Sequence, residues 1–106
     1  MNSISIIIPV LNEAKNIEAL LTYLDLNSSS KSISEILVVD GGSSDGTQAV
    51  ISEFSKIHPK VIGLKSPKGR AKQMNLGAAQ SKGTVLYFLH ADSIPPKNFD
   101  QYILNA

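Results

Sequence analysis

Apolar residues follow two rhythms along this chain, and the switches between them lay out its elements. Ser3 to Val10 is an almost unbroken β-branched run with ISIIIPV at its centre, the pattern of a strand covered on both faces in a parallel sheet. After Asn12 and Glu13 the rhythm changes. Ile17, Leu20, Leu21 and Leu24 recur at helical spacing, predicting a helix that Asn12 caps and that ends near Leu26. Asn27 to Ser32 reads as a polar surface loop. Ile33 to Val39 is the next strand. Thr47 to Ile57 is the next helix, with Val50, Ile51 and Phe54 on one face, Ser44 or Asp45 near its cap and Pro59 closing it. A short strand from Val61 to Leu64, a helix from Ala71 to Gln80 stopped by Lys82-Gly83, and a strand from Thr84 to Leu89 follow. Pro95-Pro96 marks a further helix start, and Phe99, Tyr102, Ile103 and Leu104 begin an amphipathic segment. The order βαβαβαβα predicts an α/β fold: an open, doubly wound, mostly parallel sheet of about four strands with helices on both faces, Rossmann-like.

Composition narrows the function classes. At 106 residues and 42% hydrophobic the chain is one globular unit with a single core. A net charge of +1 gives no broad basic face, so nucleic acid is not an expected partner and anion binding must be local. The absence of cysteine removes disulfides and thiolate metal sites and fits a reducing compartment, so a cytoplasmic location is expected. The run Ile4 to Leu11 contains Pro9, lacks a basic leader and is too short to cross a bilayer, so no membrane segment is expected.

The chemistry gathers where strands end. Val38-Val39-Asp40-Gly41-Gly42-Ser43-Ser44-Asp45-Gly46-Thr47 is an apolar strand that stops on a carboxylate and breaks into small residues. Asp40 there can accept from a ribose hydroxyl or a pyrimidine imide while residues 41 to 43 let a ligand approach the backbone. Alternatively, Asp40 and Ser43 only cap the next helix and the glycines only turn the chain. His90 and Asp92, just past the last strand, can face one side and suit a divalent cation and a diphosphate, or form a plain hydrogen-bonding tip. Lys65, Lys68, Arg70 and Lys72 form a basic loop that can meet a pyrophosphate or simply be a solvated face. Gly77 within a helix points to close packing on the sheet, whereas Asn75 is open to either role. Asn12-Glu13 can touch base or ribose, or merely begin a helix. The chain has no Walker-type loop, and the spacing of Gly41, Gly42 and Gly46 departs from the dinucleotide fingerprint. Both features argue against an NTPase and an NAD-dependent dehydrogenase.

Taken in order, Ile6-Ile7-Ile8-Pro9-Val10-Leu11-Asn12-Glu13, the 38–47 segment, Arg70…Asn75…Gly77 and Leu89-His90-Ala91-Asp92-Ser93 resemble the N-terminal half of family 2 glycosyltransferases. The His-Ala-Asp variant resembles a glycosyltransferase-like subgroup. The resemblance spans nearly the whole chain and implies the GT-A fold, a UDP- or GDP-type nucleotide-diphospho-sugar donor and a divalent cation, Mn2+ or Mg2+. It implies that Pro9, Val10, Leu11 and Glu13 line the base and ribose pocket, that Asp40 bonds the base, and that Arg70 lies near the diphosphate. Gly42, Asn75, Ala91 and Asp92 complete the candidate set, with Asp92, and His90 beside it, as candidate metal ligands. Two positions depart from the family: Leu11 stands where many members stack a tyrosine on the base, and His90 replaces the first acid of the Asp-x-Asp signature. The resemblance also implies that the acceptor site and the base of an inverting transfer lie beyond Ala106, so residues 1–106 are expected to be a truncated, inactive donor-binding half.

A noncatalytic nucleotide-binding or oligomerising module is the alternative. A nucleotidyltransferase is disfavoured, because Asn12-Glu13 replaces the glycine-rich basic loop expected after its first strand. A half-sheet exposes an unpaired edge and apolar area, which predicts a homo-oligomer.

Overall fold

The computed structural model of the chain describes residues 3–27 and 33–99. Within them run β1 (Ile4–Val10), α1 (Ala14–Asn27), β2 (Ile33–Asp40), α2 (Thr47–Ile57), β3 (Val61–Lys65), α3 (Arg70–Gln80) and β4 (Val85–Phe88). The strands are parallel in the order β3-β2-β1-β4. β1 therefore has a partner on each side, and Ile4, Ile6, Ile7 and Ile8 are fully buried, which accounts for its unbroken apolar run.

Alternate residues of β1 serve two cores. Ile4, Ile6, Ile8 and Val10 pack with Ile17, Leu20, Leu21 and Leu24 of α1 and Ile51 of α2. Ile7 packs with Leu37 and Val39 under Leu64, Leu76 and Ala78, on the face that α3 covers. The chain steps outward from β1 to β3 and then returns past β1 to β4. Because parallel crossovers are right-handed, reversing the direction of travel moves α3 to the opposite face. The order thus has a topological switch point between β1 and β4. Gly77 lets α3 lie close on the sheet, as its position suggested: a Cβ there would sit 2.6 Å from Ile7 Cγ2 and 3.2 Å from Val39 Cγ2.

The amino edge of the sheet holds a buried acid that the pattern did not single out. Glu35 is 4% exposed and accepts from Ser5 Oγ at 2.7 Å and from the Lys82 N–H, while the Gly83 N–H donates to Ser5 Oγ at 2.8 Å. These bonds satisfy the carboxylate and fix the turn between α3 and β4.

Two local expectations are corrected. Asn12 does not cap α1: it adopts φ 53° and its side chain reaches across to the Ser44 N–H. Pro95-Pro96 does not open a helix directly, since Lys97 and Asn98 form a turn first, with Asn98 at φ 58°. Phe99 is then buried and stacks on Tyr87 at 5.9 Å. Tyr102, Ile103, Leu104 and most of the 27–32 connection lie outside the described residues. Leu86 and Phe88 on edge strand β4 are 39% and 43% exposed, an uncovered apolar strip among the described residues. None of the described helices is long and apolar enough to cross a membrane.

Candidate functional site

The site opens where one ladder of the sheet stops. β1 and β4 pair from Ile4 with Val85 to Ile7 with Phe88, and the Leu89 N–H still reaches the Ile7 carbonyl at 3.0 Å. The next rung requires an N–H on residue 9, and proline has none. Past that point His90 to Ser93 leave the sheet in a turn closed by the Ser93 N–H on the His90 carbonyl at 3.0 Å. On the other side of β1 the pairing continues to Val10 with Asp40, and the Gly41 N–H donates to the Val10 carbonyl at 3.0 Å. The result is a cleft of about 250 Å³ at the carboxyl ends of the strands. Its floor and near wall are Pro9, Val10, Leu11 and Glu13; Lys68, Gly69, Arg70 and Gln73 form a second wall, and His90 and Asp92 a third. It lies at the switch point, where open α/β sheets bind ligands.

The loop carrying Leu11 and Glu13 is held by the segment after β2. The Asn12 N–H donates to Ser43 Oγ at 2.8 Å, Ser43 Oγ donates to Asp40 Oδ1, and the Ser44 N–H donates to Asn12 Oδ1 at 2.8 Å. The Glu13 N–H donates to Thr47 Oγ1 at 3.0 Å and the Ala14 N–H to Asp45 Oδ2 at 3.3 Å. The donors freed at the start of α1 are thus capped by residues more than thirty positions away. Asp45 also caps α2, accepting from the Thr47 N–H at 3.0 Å, so one carboxylate serves two helices. Its carboxyl is held below the ordinary range by the Thr47 hydroxyl above all, against a smaller opposing effect of burial, with backbone N–H bonds adding to the lowering.

The second wall is electropositive without any acid to offset it. Gly69 precedes α3 at φ 141° and ψ 124°, a conformation that side-chain-bearing residues avoid, and offers no side-chain cap to the first-turn N–H groups. Those groups and the dipole favour an anion, and Lys68 and Arg70 flank them.

On the third wall His90 and Asp92 are exposed while Ala91 between them is buried in the core. They come to one side through the turn rather than through an extended segment. Among the described residues no group of three His, Asp or Glu side chains gathers around a common point. A carboxylate and an imidazole fit a divalent cation that shares its shell with phosphate oxygens and water, the way Mg2+ and Mn2+ are commonly bound beside diphosphates.

The remaining candidates lie apart from the cleft. Asp40 is 2% exposed, and its carboxylate turns toward α2, accepting from the Ser43 N–H at 3.0 Å and from Gln48 Nε2 at 2.6 Å, beside a neighbouring recess shared with Leu64 and Lys65. Burial pushes its pKa up, but the bonds from Ser43, Gln48 and Gly42 outweigh that and hold it below the ordinary range. Gly42 is exposed in the turn, and Asn75 is on the exposed side of α3; neither lines the cleft, and Ala91 does not either. Gln73 was not singled out by the sequence, yet it is 4% exposed and lines the cleft. The usable signal was its spacing, four residues before Gly77 on the face of α3 that meets the sheet.

A parallel sheet wound in both directions, with a cleft at its switch point, defines a doubly wound α/β protein with a ligand site at the carboxyl ends of its strands. The solved structures it resembles narrow that to the GT-A fold of glycosyltransferases. S. aureus TarS 1-349 superposes with a TM-score of 0.81 at 25% identity, over 97% of this chain and 31% of that one. TarS 1-349 has also been solved in complex with UDP-GlcNAc, with a TM-score of 0.70 at 27% identity over 85% of this chain and 26% of that one. The mannosyltransferase PcManGT of Pyrobaculum calidifontis, in complex with GDP-Man and Mn2+, gives a TM-score of 0.78 at 23% identity over 96% and 31%. The model of glycosyl transferase family 2 matches residues 5–106, and the chain belongs to that family. In sequence it is 38% identical over 94 residues to glycosyltransferase AglE of Haloferax volcanii, a match covering 87% of this chain and 31% of AglE. The chain therefore spans about a third of the length of these relatives.

Proposed function

We propose that these residues form the donor-binding region of a family 2 glycosyltransferase, taking a UDP- or GDP-type nucleotide-diphospho-sugar. One observation carries the reading: a single cleft presents Lys68, Arg70 and the open N-terminus of α3 on one wall and the exposed Asp92 and His90 on another. The cationic wall suits the diphosphate, and the acid wall suits a cation bridging to it. PcManGT holds GDP-Man and Mn2+, and TarS holds UDP-GlcNAc, which supports both halves of this assignment.

In the transfer, the acceptor hydroxyl attacks the anomeric carbon, the bond to the diphosphate breaks, and the sugar inverts. Arg70 and Lys68 neutralise charge that grows on the departing diphosphate, and the α3 N–H groups donate hydrogen bonds to its oxygens. Asp92, with His90, would hold a divalent cation that supplies further charge stabilisation of that leaving group. Pro9, Val10, Leu11 and Glu13 bind and orient the nucleoside. We assign the base that takes the acceptor proton to none of the residues in this chain.

Titration calorimetry with UDP and GDP, each with and without Mn2+, tests the reading. The expected result is Mn2+-enhanced binding that falls at least about tenfold in Asp92→Ala. Failure of both nucleotides to bind, with and without the metal, would refute it and leave the noncatalytic assembly role.

A further inference from the structure

Gln73 lies in the second turn of α3 with its carboxamide inserted between the strand ends. Its Nε2 donates to the Val10 carbonyl and to the Val39 carbonyl, each at 2.8 Å, and its Oε1 accepts from the Gly69 N–H at 3.3 Å. One planar group thereby joins the tip of β1, the tip of β2 and the residue that starts α3. Only this orientation of the amide serves, since two of the three partners are carbonyls. Gly41 makes the room: a Cβ there would stand 2.8 Å from Gln73 Oε1. An apolar side chain would fill the same space, so packing alone does not call for a glutamine. What the carboxamide adds is a fixed relation between the wall that carries Arg70 and the wall that carries Leu11.

We propose that Gln73 is a positioning residue for the nucleotide cleft, setting the phosphate-side loop in register with the base-side strand tips. This rests on the donor-binding reading. A nucleoside diphosphate must touch both walls at once and gains from having them pre-set, whereas a nucleoside touches only the strand tips. Loss of the tie therefore appears as a change in the preference for diphosphate over nucleoside. A role confined to stability would lower the melting point and leave that preference unchanged.

The test measures affinities of UDP, uridine, GDP and guanosine for the wild-type chain, Gln73→Met and Gln73's neighbour variant Gly41→Ala, at a temperature where circular dichroism finds each folded. Gln73→Met keeps shape and removes all three bonds; Gly41→Ala pushes on the Gln73 carboxamide without substituting any residue that lines the cleft. The expected outcome is a fall of about tenfold in diphosphate affinity against less than about threefold for the nucleoside, in the same direction for both variants. Wild-type binding with an unchanged ratio in the variants overturns this inference alone. Wild-type protein that binds neither diphosphate overturns the donor-binding reading, and the inference with it. Should Gln73→Met fail to fold, Gly41→Ala carries the measurement, and an unchanged ratio there is decisive against the proposal.

Discussion

Gly77→Ala sets two effects of opposite sign against each other. Replacing glycine by alanine in a helix interior favours the helix by about 1 kcal/mol. The new methyl, however, would arrive 2.6 Å from Ile7 Cγ2 and 3.2 Å from Val39 Cγ2, where ordinary carbon contacts are about 3.5–4.0 Å. Both neighbours are fully buried and β-branched, so neither can swing aside, and α3 must retreat by roughly 1 Å. Overpacking of this kind costs about 1–3 kcal/mol, and the retreat also stretches the two 2.8 Å bonds from Gln73, each worth about 1 kcal/mol net. The steric term wins. A net loss of about 1–3 kcal/mol is expected, which lowers Tm by about 4–8 °C for each kcal/mol in a domain of this size. Urea denaturation with a matched thermal scan measures it. Ile7→Leu moves the branch away from the β-carbon and should recover part of the loss in the double variant. Stability equal to or above that of the wild type in Gly77→Ala would mean that α3 does not lie this close to the sheet.

Three further outcomes follow from the same contacts. Arg70→Ala should weaken UDP binding about tenfold and leave uridine within about threefold, because the guanidinium flanks the α3 N-terminus rather than the strand tips; calorimetry giving equal losses for both ligands would contradict this. Thr47→Val removes the acceptor for the Glu13 N–H and should cost about 1 kcal/mol in urea denaturation, so an unchanged midpoint would discount the capping between loops. Asp40 has a folded pKa below its ordinary value of 3.8, so its contribution to stability is complete above that value and is lost as pH falls through the lower, folded one. The urea midpoint should decline in that acid window, and Asp40→Asn should remove this part of the decline; an identical acid slope in the variant would count against the bonds from Ser43 and Gln48.

What the residues disclose on their own divides along physical lines. Periodicity records burial of large apolar surface, so β1, the helical faces of α1 and α2, and the tight seat of Gly77 were all legible. Hydrogen bonds between distant segments leave no period. Asn12 and Asp45 have the composition of ordinary helix caps, and the sequence pattern places each at its own nearest helix, with Thr47 as the first residue of the second. Asn12 and Thr47 bond across between the loops after β1 and β2, and Asp45 does so in addition to holding the Thr47 N–H at the start of α2; only the pairing of those strands brings the loops together. Gln73 and Glu35 were hidden for the same reason. A polar residue reads as exposed until its partners are known, and those partners are strand-end carbonyls for one and a serine and a turn N–H for the other.

The two strand-end acids, alike in sequence, take different parts. Asp40 is buried, and its carboxylate accepts from the Ser43 N–H, the Ser43 hydroxyl and Gln48 Nε2, the same hydroxyl in turn holding the Asn12 N–H. A carboxylate offers about four lone-pair positions, and with the Gly42 N–H also directed at it a ligand reaching Asp40 has to displace one of these donors. Asp92 is exposed on the cleft. The difference traces to the ladders that each strand leaves. β2 stays paired with β1 out to Asp40, keeping its acid within a network of backbone and side-chain donors, whereas Pro9 ends the pairing with β4 and releases His90 to Asp92 from the sheet. One acid therefore braces the loops that shape the cleft, and the other is left free to meet what enters it.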